Sequence, residues 1–151
     1  MAIPLTKEVS VLKSSLRFIY FYCNELNKVR TFYSELIQLH EIYFEDHASV
    51  AYQCDQLQFS FSQITEKLPE HDGWATQPGW QGGELPVPSC SIKCEEDAFQ
   101  EVVERLQKSK VESFHQHPVW IGYCSYPVKD PAGNTVEITW TGDEDALKSS
   151  I

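Results

Sequence analysis

The chain has 151 residues, of which 42% are hydrophobic, and it carries a formal net charge of −10 at pH 7. This length and apolar content predict a single domain over residues 1–151 with an ordinary hydrophobic core. The acidic balance argues against nucleic-acid binding, because a phosphate backbone is held mainly by clustered Lys and Arg.

The sequence also indicates the cellular compartment of the protein. No apolar run reaches transmembrane length, and no basic-then-apolar leader precedes the first elements, so we expect a soluble, cytoplasmic protein without membrane contact. The 5 cysteines form an odd set without CxxC spacing. They predict reduced thiols, and neither a disulfide framework nor a zinc ribbon.

Residues 16–62 are predicted to form a strand, a helix and three further strands. Aromatic and β-branched residues dominate 16–22 and indicate a strand. Asn24 is a candidate N-cap, and apolar residues at helical spacing then predict a helix over 25–38. Three short strand-like runs follow, near 41–45, 48–53 and 57–62.

Residues 63–88 change composition to Pro, Gly, Trp and polar residues, which predicts a crossover loop. Trp74 and Trp80 in this loop are candidate ligand-binding residues that could form a lid over a site. Packing of the loop against the domain or against a dimer partner is the alternative, and both interpretations stay open at this point.

Residues 89–140 repeat the order of elements found in the first half. A strand over 89–94 precedes a helix with an acidic first turn and with Phe99, Val102, Val103 and Leu106 on one face. Segments near 111–114, 119–128 and 135–140 can supply three more strands. The last two are joined by the turn-forming sequence DPAGN at 130–134.

Two short motifs link this arrangement to a known family. The segment FYSELIQL at 32–39 is similar to the FY...LG signature, and DPAGNTVEI at 130–138 is similar to the DPxGNxxE signature, of vicinal oxygen chelate proteins. That family includes glyoxalases, bleomycin resistance proteins and ring-cleaving dioxygenases. The resemblance covers 16–140 and implies an α+β fold, in which two βαβββ modules form a curved mixed sheet around a cup.

The resemblance also implies where a metal would be held. Metal-dependent members take His or Gln, Glu, His and Glu from the first, fourth, fifth and eighth strands. The matching positions here are Phe18, then Gln58 or Ser60, then Ser89, and finally Glu137. Only Glu137 matches, and a tight divalent site generally needs three or more convergent protein ligands. We therefore expect no metal and no cofactor.

The ligand positions that the resemblance implies define the face of the expected cup, and residues of the same parity lie on that face because side chains alternate along a strand. The predicted ligand-binding residues on that face are Phe18, Tyr20, Tyr22, Gln58, Ser60, Ser89, Ser91 and Lys93. Thr135, Glu137 and Thr139 share their parity. The opposite face is apolar and should pack under the helices, with Ile19, Phe21, Leu57, Phe59, Phe61, Cys90, Ile92, Cys94, Val136, Ile138 and Trp140.

Two polar features have simpler alternatives. Glu137 is the candidate catalytic residue, as a base that removes a proton next to a carbonyl, although a structural or purely binding role is favoured. His115 and His117 have the HxH spacing of two metal ligands on a strand, but Pro118 follows and no third ligand is evident. A solvated edge is favoured for this pair.

Two functions remain as hypotheses. The first is a metal-free protein, similar to the bleomycin resistance group, that binds a small, partly apolar molecule in an aromatic-lined cup. The alternative is a metal-dependent lyase, isomerase or dioxygenase with Glu137 as ligand or general base. A homodimer is expected in either case, because an open βαβββ sheet exposes apolar surface that a second copy can cover.

Overall fold

The computed structural model describes residues 14–76, 82–142, 144–145 and 147. Within these residues the chain forms two four-stranded mixed sheets. The first has the order β1-β4-β3-β2, and the second has the order β5-β8-β7-β6. In each sheet the first strand pairs in parallel with the last, and the other pairs are antiparallel. This is the predicted α+β fold of two βαβββ modules.

The strands of the first sheet lie within about two residues of their predicted positions, and a helix connects the first of them to the second. Helix α1, Leu26–Arg30, continues as a π-helical segment, Thr31–Leu36, where Ile37 N–H donates to the Phe32 carbonyl. The strands are β1 Phe18–Cys23, β2 His40–Glu45, β3 Ser49–Cys54 and β4 Leu57–Gln63.

The second module differs from the prediction in two places. The strands are β5 Cys90–Lys93, β6 Val119–Trp120, β7 Cys124–Lys129 and β8 Thr135–Trp140, and helix α2 is Glu96–Lys108. The segment 111–114 forms only an isolated bridge, between Ser113 and Val128. The predicted run 119–128 is interrupted at Gly122, whose φ of +97° turns the chain between β6 and β7.

The helices pack against one face of each sheet, as the alternation predicts. From the first sheet, Val50, Tyr52, Phe59 and Phe61 are buried on this face. The second sheet contributes Tyr126, Val128, Val136 and Ile138 to the same contiguous core, together with Phe99, Val102 and Leu106 of α2. The opposite faces of both sheets, which carry the candidate site residues, therefore point away from the core.

One buried hydrogen bond joins the two family-like motifs. The Tyr33 hydroxyl, in the FYSELIQL segment, donates to Asp130 Oδ2 at 2.6 Å. The other carboxylate oxygen, Oδ1, accepts from the amides of Ala132 and Asn134 at 2.9 and 2.8 Å and so fixes the turn between β7 and β8. This carboxylate thus connects the first helix to the second sheet.

Burial raises the pKa of Asp130 above its ordinary value, and the hydrogen bonds from Tyr33 and Asn134 partly offset the rise. Because the folded-state pKa lies above that of the unfolded chain, ionisation of Asp130 reduces stability as the pH rises through it. The hydrogen bond from the Tyr33 hydroxyl therefore contributes most to stability at pH values where the Asp130 carboxylate is charged.

Among the described residues, no helix combines the length and the apolar character that crossing a bilayer requires.

We predict that Tyr33→Phe lowers the free energy of unfolding by about 1–3 kcal/mol, the usual cost of leaving a buried polar group without its partner, with the largest loss at pH values where Asp130 is ionised. The loss should shrink as the pH falls through the pKa of Asp130, because a neutral carboxyl accepts the bond less strongly. Urea denaturation at several pH values measures both effects. Tyr43→Phe is the control, since Tyr43 is exposed and donates only to its neighbour Glu45. An equal loss in both variants would contradict the assignment.

Candidate ligand-binding site

The aromatic residues of β1 form an exposed row on the first sheet. Tyr20 and Tyr22 retain 67% and 56% of their accessible surface, and Phe18 is also exposed. Their ladder partners are Gln58 for Phe18 and Ser60 for Tyr20. The five predicted ligand-binding residues of this sheet therefore lie on one open face.

Glu137 lies at the centre of the corresponding face of the second sheet, and it is only 4% exposed. Ser125 Oγ donates to Glu137 Oε1 at 2.6 Å. The Tyr123 hydroxyl also bonds this carboxylate, and burial, followed by that bond, raises the pKa of Tyr123 to about 12. Glu137 is thus a buried carboxylate held by two hydroxyl groups, with no cationic side chain within ion-pair distance among the described residues.

The sequence did not identify Ser125 and Tyr123 as neighbours of Glu137. Both precede the DPAGN turn, and their proximity depends on the register of the hairpin, in which Ser125 pairs with Thr139 and Pro127 with Glu137. If the two strands are paired across the Asp130–Asn134 turn, counting residues back from the turn predicts that Ser125 lies on the same face as Glu137. Nothing in the sequence places Tyr123, because it lies in the irregular segment before β7.

Ser91 and Lys93 lie beside Glu137 on β5. Ser91, and not Ser89, is the ladder partner of Glu137, and its Oγ lies 3.2 Å from Thr139 Oγ1. Ser89 precedes the strand and lies in the segment that leads into it. Lys93 is exposed, and no described carboxylate lies within ion-pair distance of it.

Part of the crossover loop packs against the second sheet. The Ala75 amide donates to Thr135 Oγ1 at 3.2 Å, and the Trp74 ring makes an edge contact with Phe114 at a centroid distance of 5.0 Å. Lys129 Nζ lies 5.1 Å from the Trp74 ring centroid. Trp74 thus packs against the domain, which is the alternative to a lid that the sequence left open. Trp80 lies outside the described residues.

A glycine fixes the return of this loop. Gly83 has a φ of +75°, and a Cβ there would collide with the Ala75 carbonyl oxygen. The Thr76 amide donates to the Leu85 carbonyl at 2.9 Å, which holds the two sides of the loop together. The contact with Thr135 therefore belongs to a locally ordered segment.

Two open spaces lie between β1 and β5. A groove of about 570 Å³ is lined by Tyr20 and Tyr22 on one side and by Val87, Pro88 and Ser89 on the other. A cavity of about 420 Å³ is lined by Ser91 and Lys93 together with apolar residues of both modules. The predicted site residues are therefore divided, since the groove contains Tyr20, Tyr22 and Ser89, whereas Glu137 lies on the other sheet.

The residues at the expected metal positions do not fit a divalent metal site. They are an aromatic ring, an amide, hydroxyls and one carboxylate, at Phe18, Gln58, Ser60, Ser91 and Glu137. No group of three or more His, Cys, Asp and Glu side chains in the described part of the chain is arranged to hold an ion. The His115 ring instead packs edge-on against Phe114, with 4.7 Å between centroids.

No family model matches the sequence, and no curated protein matches it significantly. Solved structures do. A glyoxalase/dioxygenase from Nostoc punctiforme is 16% identical with a TM-score of 0.68, and the match covers 89% of this chain and 99% of that one. The fosfomycin resistance protein FosX from Listeria monocytogenes is 16% identical with a TM-score of 0.62, covering 90% and 99%. Lactoylglutathione lyase from Agrobacterium tumefaciens is 20% identical with a TM-score of 0.55, covering 85% and 94%.

These similarities establish the fold. The chain has the glyoxalase/bleomycin resistance/dioxygenase fold that the two motifs implied, over nearly its whole length. At 16–20% identity the similarity concerns architecture, and the chemistry has to be argued from the residues of this chain.

We predict that two aromatic substitutions on opposite faces of the first sheet have very different effects on stability. Phe61→Ala should lower the free energy of unfolding by about 3–5 kcal/mol, because Phe61 is fully buried against Phe21, Tyr33 and Phe59. Tyr43→Ala should change it by no more than about 0.5 kcal/mol, because Tyr43 is exposed on the opposite face of the same sheet. Urea denaturation measures both. The opposite ranking would mean that the faces have been exchanged.

Proposed function

We propose that this protein binds a small, partly apolar molecule on the exposed aromatic face of its first sheet, without the help of a divalent metal. The observation that carries the proposal is the groove of about 570 Å³ beside Tyr20 and Tyr22, whose rings remain open to solvent. A cytoplasmic location is part of the same proposal and is supported by the five cysteines, all of which are free thiols.

The chemistry of the groove suits such a ligand. Its size lies within the range of about 300–1,000 Å³ common for small-molecule sites, and aromatic rings offer large rigid surfaces for stacking. His71, Ser89 and Asn134 add polar groups along its walls. A flat molecule with one or two hydrogen-bonding groups matches this combination.

A metal-dependent lyase, isomerase or dioxygenase is the second candidate. Glu137 supports it, because this residue lies in the DPxGNxxE-like motif where the family places a ligand. A structure of the Listeria FosX protein contains Mn(II) and a dihydroxypropylphosphonic acid. In this chain, however, the Glu137 carboxylate is buried and already bonded by Ser125 and Tyr123. These bonds favour a structural role for Glu137 over that of a base.

The binding proposal can be tested by screening a library of small aromatic compounds. The melting temperature of the protein is measured with each compound, once with EDTA and once without it. We expect a compound that raises the melting temperature equally in both conditions, and we expect Tyr22→Ala to weaken its binding at least tenfold, about 1.4 kcal/mol. Tyr43→Ala is the matched control, because Tyr43 is equally exposed but lies on β2, outside the groove. Binding that disappears with EDTA, or one equivalent of bound zinc, nickel, manganese or iron by elemental analysis, would contradict the proposal.

We further propose that the protein is a homodimer in which a second copy covers part of this face. Large apolar side chains are concentrated there, with Leu16, Phe18, Tyr20 and Tyr22 all exposed. β1 is also an edge strand with unpaired backbone groups, and it contains neither Lys nor Pro to discourage pairing. Both features favour association with another chain.

Light scattering at micromolar concentration should therefore give twice the chain mass of 17.4 kDa. Tyr20→Glu should shift the mass toward the monomer by placing a charge in the apolar face, whereas Ile42→Glu, at an exposed position on β2, should not. Because each chain carries a net charge of −10, added salt should strengthen the dimer by screening repulsion. A monomer mass for the unaltered protein would overturn this expectation.

A further inference from the structure

A second open space adjoins the helix-facing side of β1 and also reaches Ser91 and Lys93 on the open face of β5. The exposed rings of Tyr20 and Tyr22 do not line it. This cavity of about 420 Å³ separates the first strands of the two modules, β1 and β5. Ile19 and Phe21 line it from one strand and Ile92 from the other. It meets the Tyr20 groove only at shared border residues, Ile19, Phe21 and Cys90.

The walls of this cavity are predominantly apolar. Leu39, Leu57 and Phe59 complete the hydrocarbon lining begun by the two edge strands. The space is open to solvent on one side, where Asp55 and Lys93 are exposed, so its apolar walls are in contact with water. Its volume lies within the range of about 300–1,000 Å³ that is common for small-molecule sites.

Two thiols, Cys54 and Cys90, lie in the same walls. Burial raises the pKa of Cys54, and it raises the pKa of Cys90 to about 12, with the nearby Asp130 carboxylate adding to the rise. Both are therefore neutral thiols at physiological pH, and such thiols behave as small apolar side chains. They add no charge to the interior of the cavity.

The rim carries one cation and one anion, Lys93 and Asp55. Their charges oppose each other, so the mouth has no strong preference for a charged ligand. The remaining polar rim residues, Gln38, His40 and Gln53, offer hydrogen bonds at the entrance. The combination of an apolar interior with a polar but electrically balanced mouth selects neutral, hydrocarbon-rich molecules.

We infer that the cavity between β1 and β5 is a separate binding site for a small, neutral, mostly hydrocarbon molecule. Contact between water and these apolar walls is unfavourable, so a hydrocarbon ligand that displaces the water is stabilised. The site differs from the proposed groove because it uses Leu39, Leu57 and Ile92, which do not line the groove, whereas the groove uses Tyr20 and Tyr22.

The probe for this site is N-phenyl-1-naphthylamine, a neutral fluorophore that brightens in apolar surroundings. Titration into the full-length protein should give saturable fluorescence. Ile92→Trp should reduce the affinity at least tenfold by filling the cavity. Tyr22→Ala, which alters only the groove, should leave the affinity within about twofold. If Tyr22→Ala abolishes the signal while Ile92→Trp preserves it, the probe binds in the groove and the inference is wrong.

Cysteine labelling gives a second readout that needs no variant and does not depend on whether Ile92→Trp folds. Cys54 and Cys90 line the cavity, while Cys94 is equally half-buried but lies outside it. With the probe at ten times its dissociation constant, N-ethylmaleimide should modify Cys54 and Cys90 about tenfold more slowly, because only the free fraction reacts. Cys94 should react at an unchanged rate. Peptide mass spectrometry resolves the three sites.

Three results would overturn the inference. Equal protection of all three thiols would indicate general stabilisation, and no protection would place the probe elsewhere. Protection of Cys54 and Cys90 that grows with protein concentration in the absence of probe would show that a second copy of the chain fills the cavity. The last result would overturn this site while leaving the proposed groove intact.

Discussion

The hydrogen bond between Tyr33 and Asp130 is the constraint on which the relation of the two modules depends. It joins the first helical segment to the turn that sets the β7–β8 register, and residues 97 positions apart are held at 2.6 Å. The same carboxylate accepts the amides that form the turn. Since β8 carries Glu137, one buried group contributes both to the β7–β8 turn and to the docking of the first module, alongside the apolar core that the two modules share. This gives a structural reason for the presence of both family-like motifs in the chain.

The faces opposite the helices differ in exposure, since Tyr20 and Tyr22 of the first sheet are exposed whereas Ser125 and Glu137 of the second sheet are buried. The first sheet presents tyrosine rings, and the second presents serine and threonine hydroxyls around a buried carboxylate. These surfaces differ in chemistry as well as in exposure. The first suits stacking of a ligand or of another chain, whereas the second is largely satisfied by its own hydrogen bonds and by the crossover loop at Thr135.

The surroundings of Glu137 differ from those of a metal ligand. In a metal site the carboxylate would be one of several converging ligands, but its neighbours here are Ser91, Ser125, Thr139 and Tyr123. Hydroxyl donors stabilise a buried carboxylate without requiring an ion. The same position can therefore be retained for stability, which is why the fold alone does not decide between binding and catalysis.

Local periodicity and short motifs predicted the βαβββ order of both modules and the mismatch at the family's ligand positions, although the strand predicted at 111–114 is only an isolated bridge. The ligand positions implied by the family resemblance, combined with strand alternation, placed Phe59 and Phe61 in the core and Tyr20 and Tyr22 on the open face. Only the tertiary structure showed that Ser125 and Tyr123 bond Glu137, that Trp74 packs on Phe114, and that a cavity separates β1 from β5. Those features arise from strand register, loop return and packing between modules, which join residues far apart in the chain and leave no periodic signal in it.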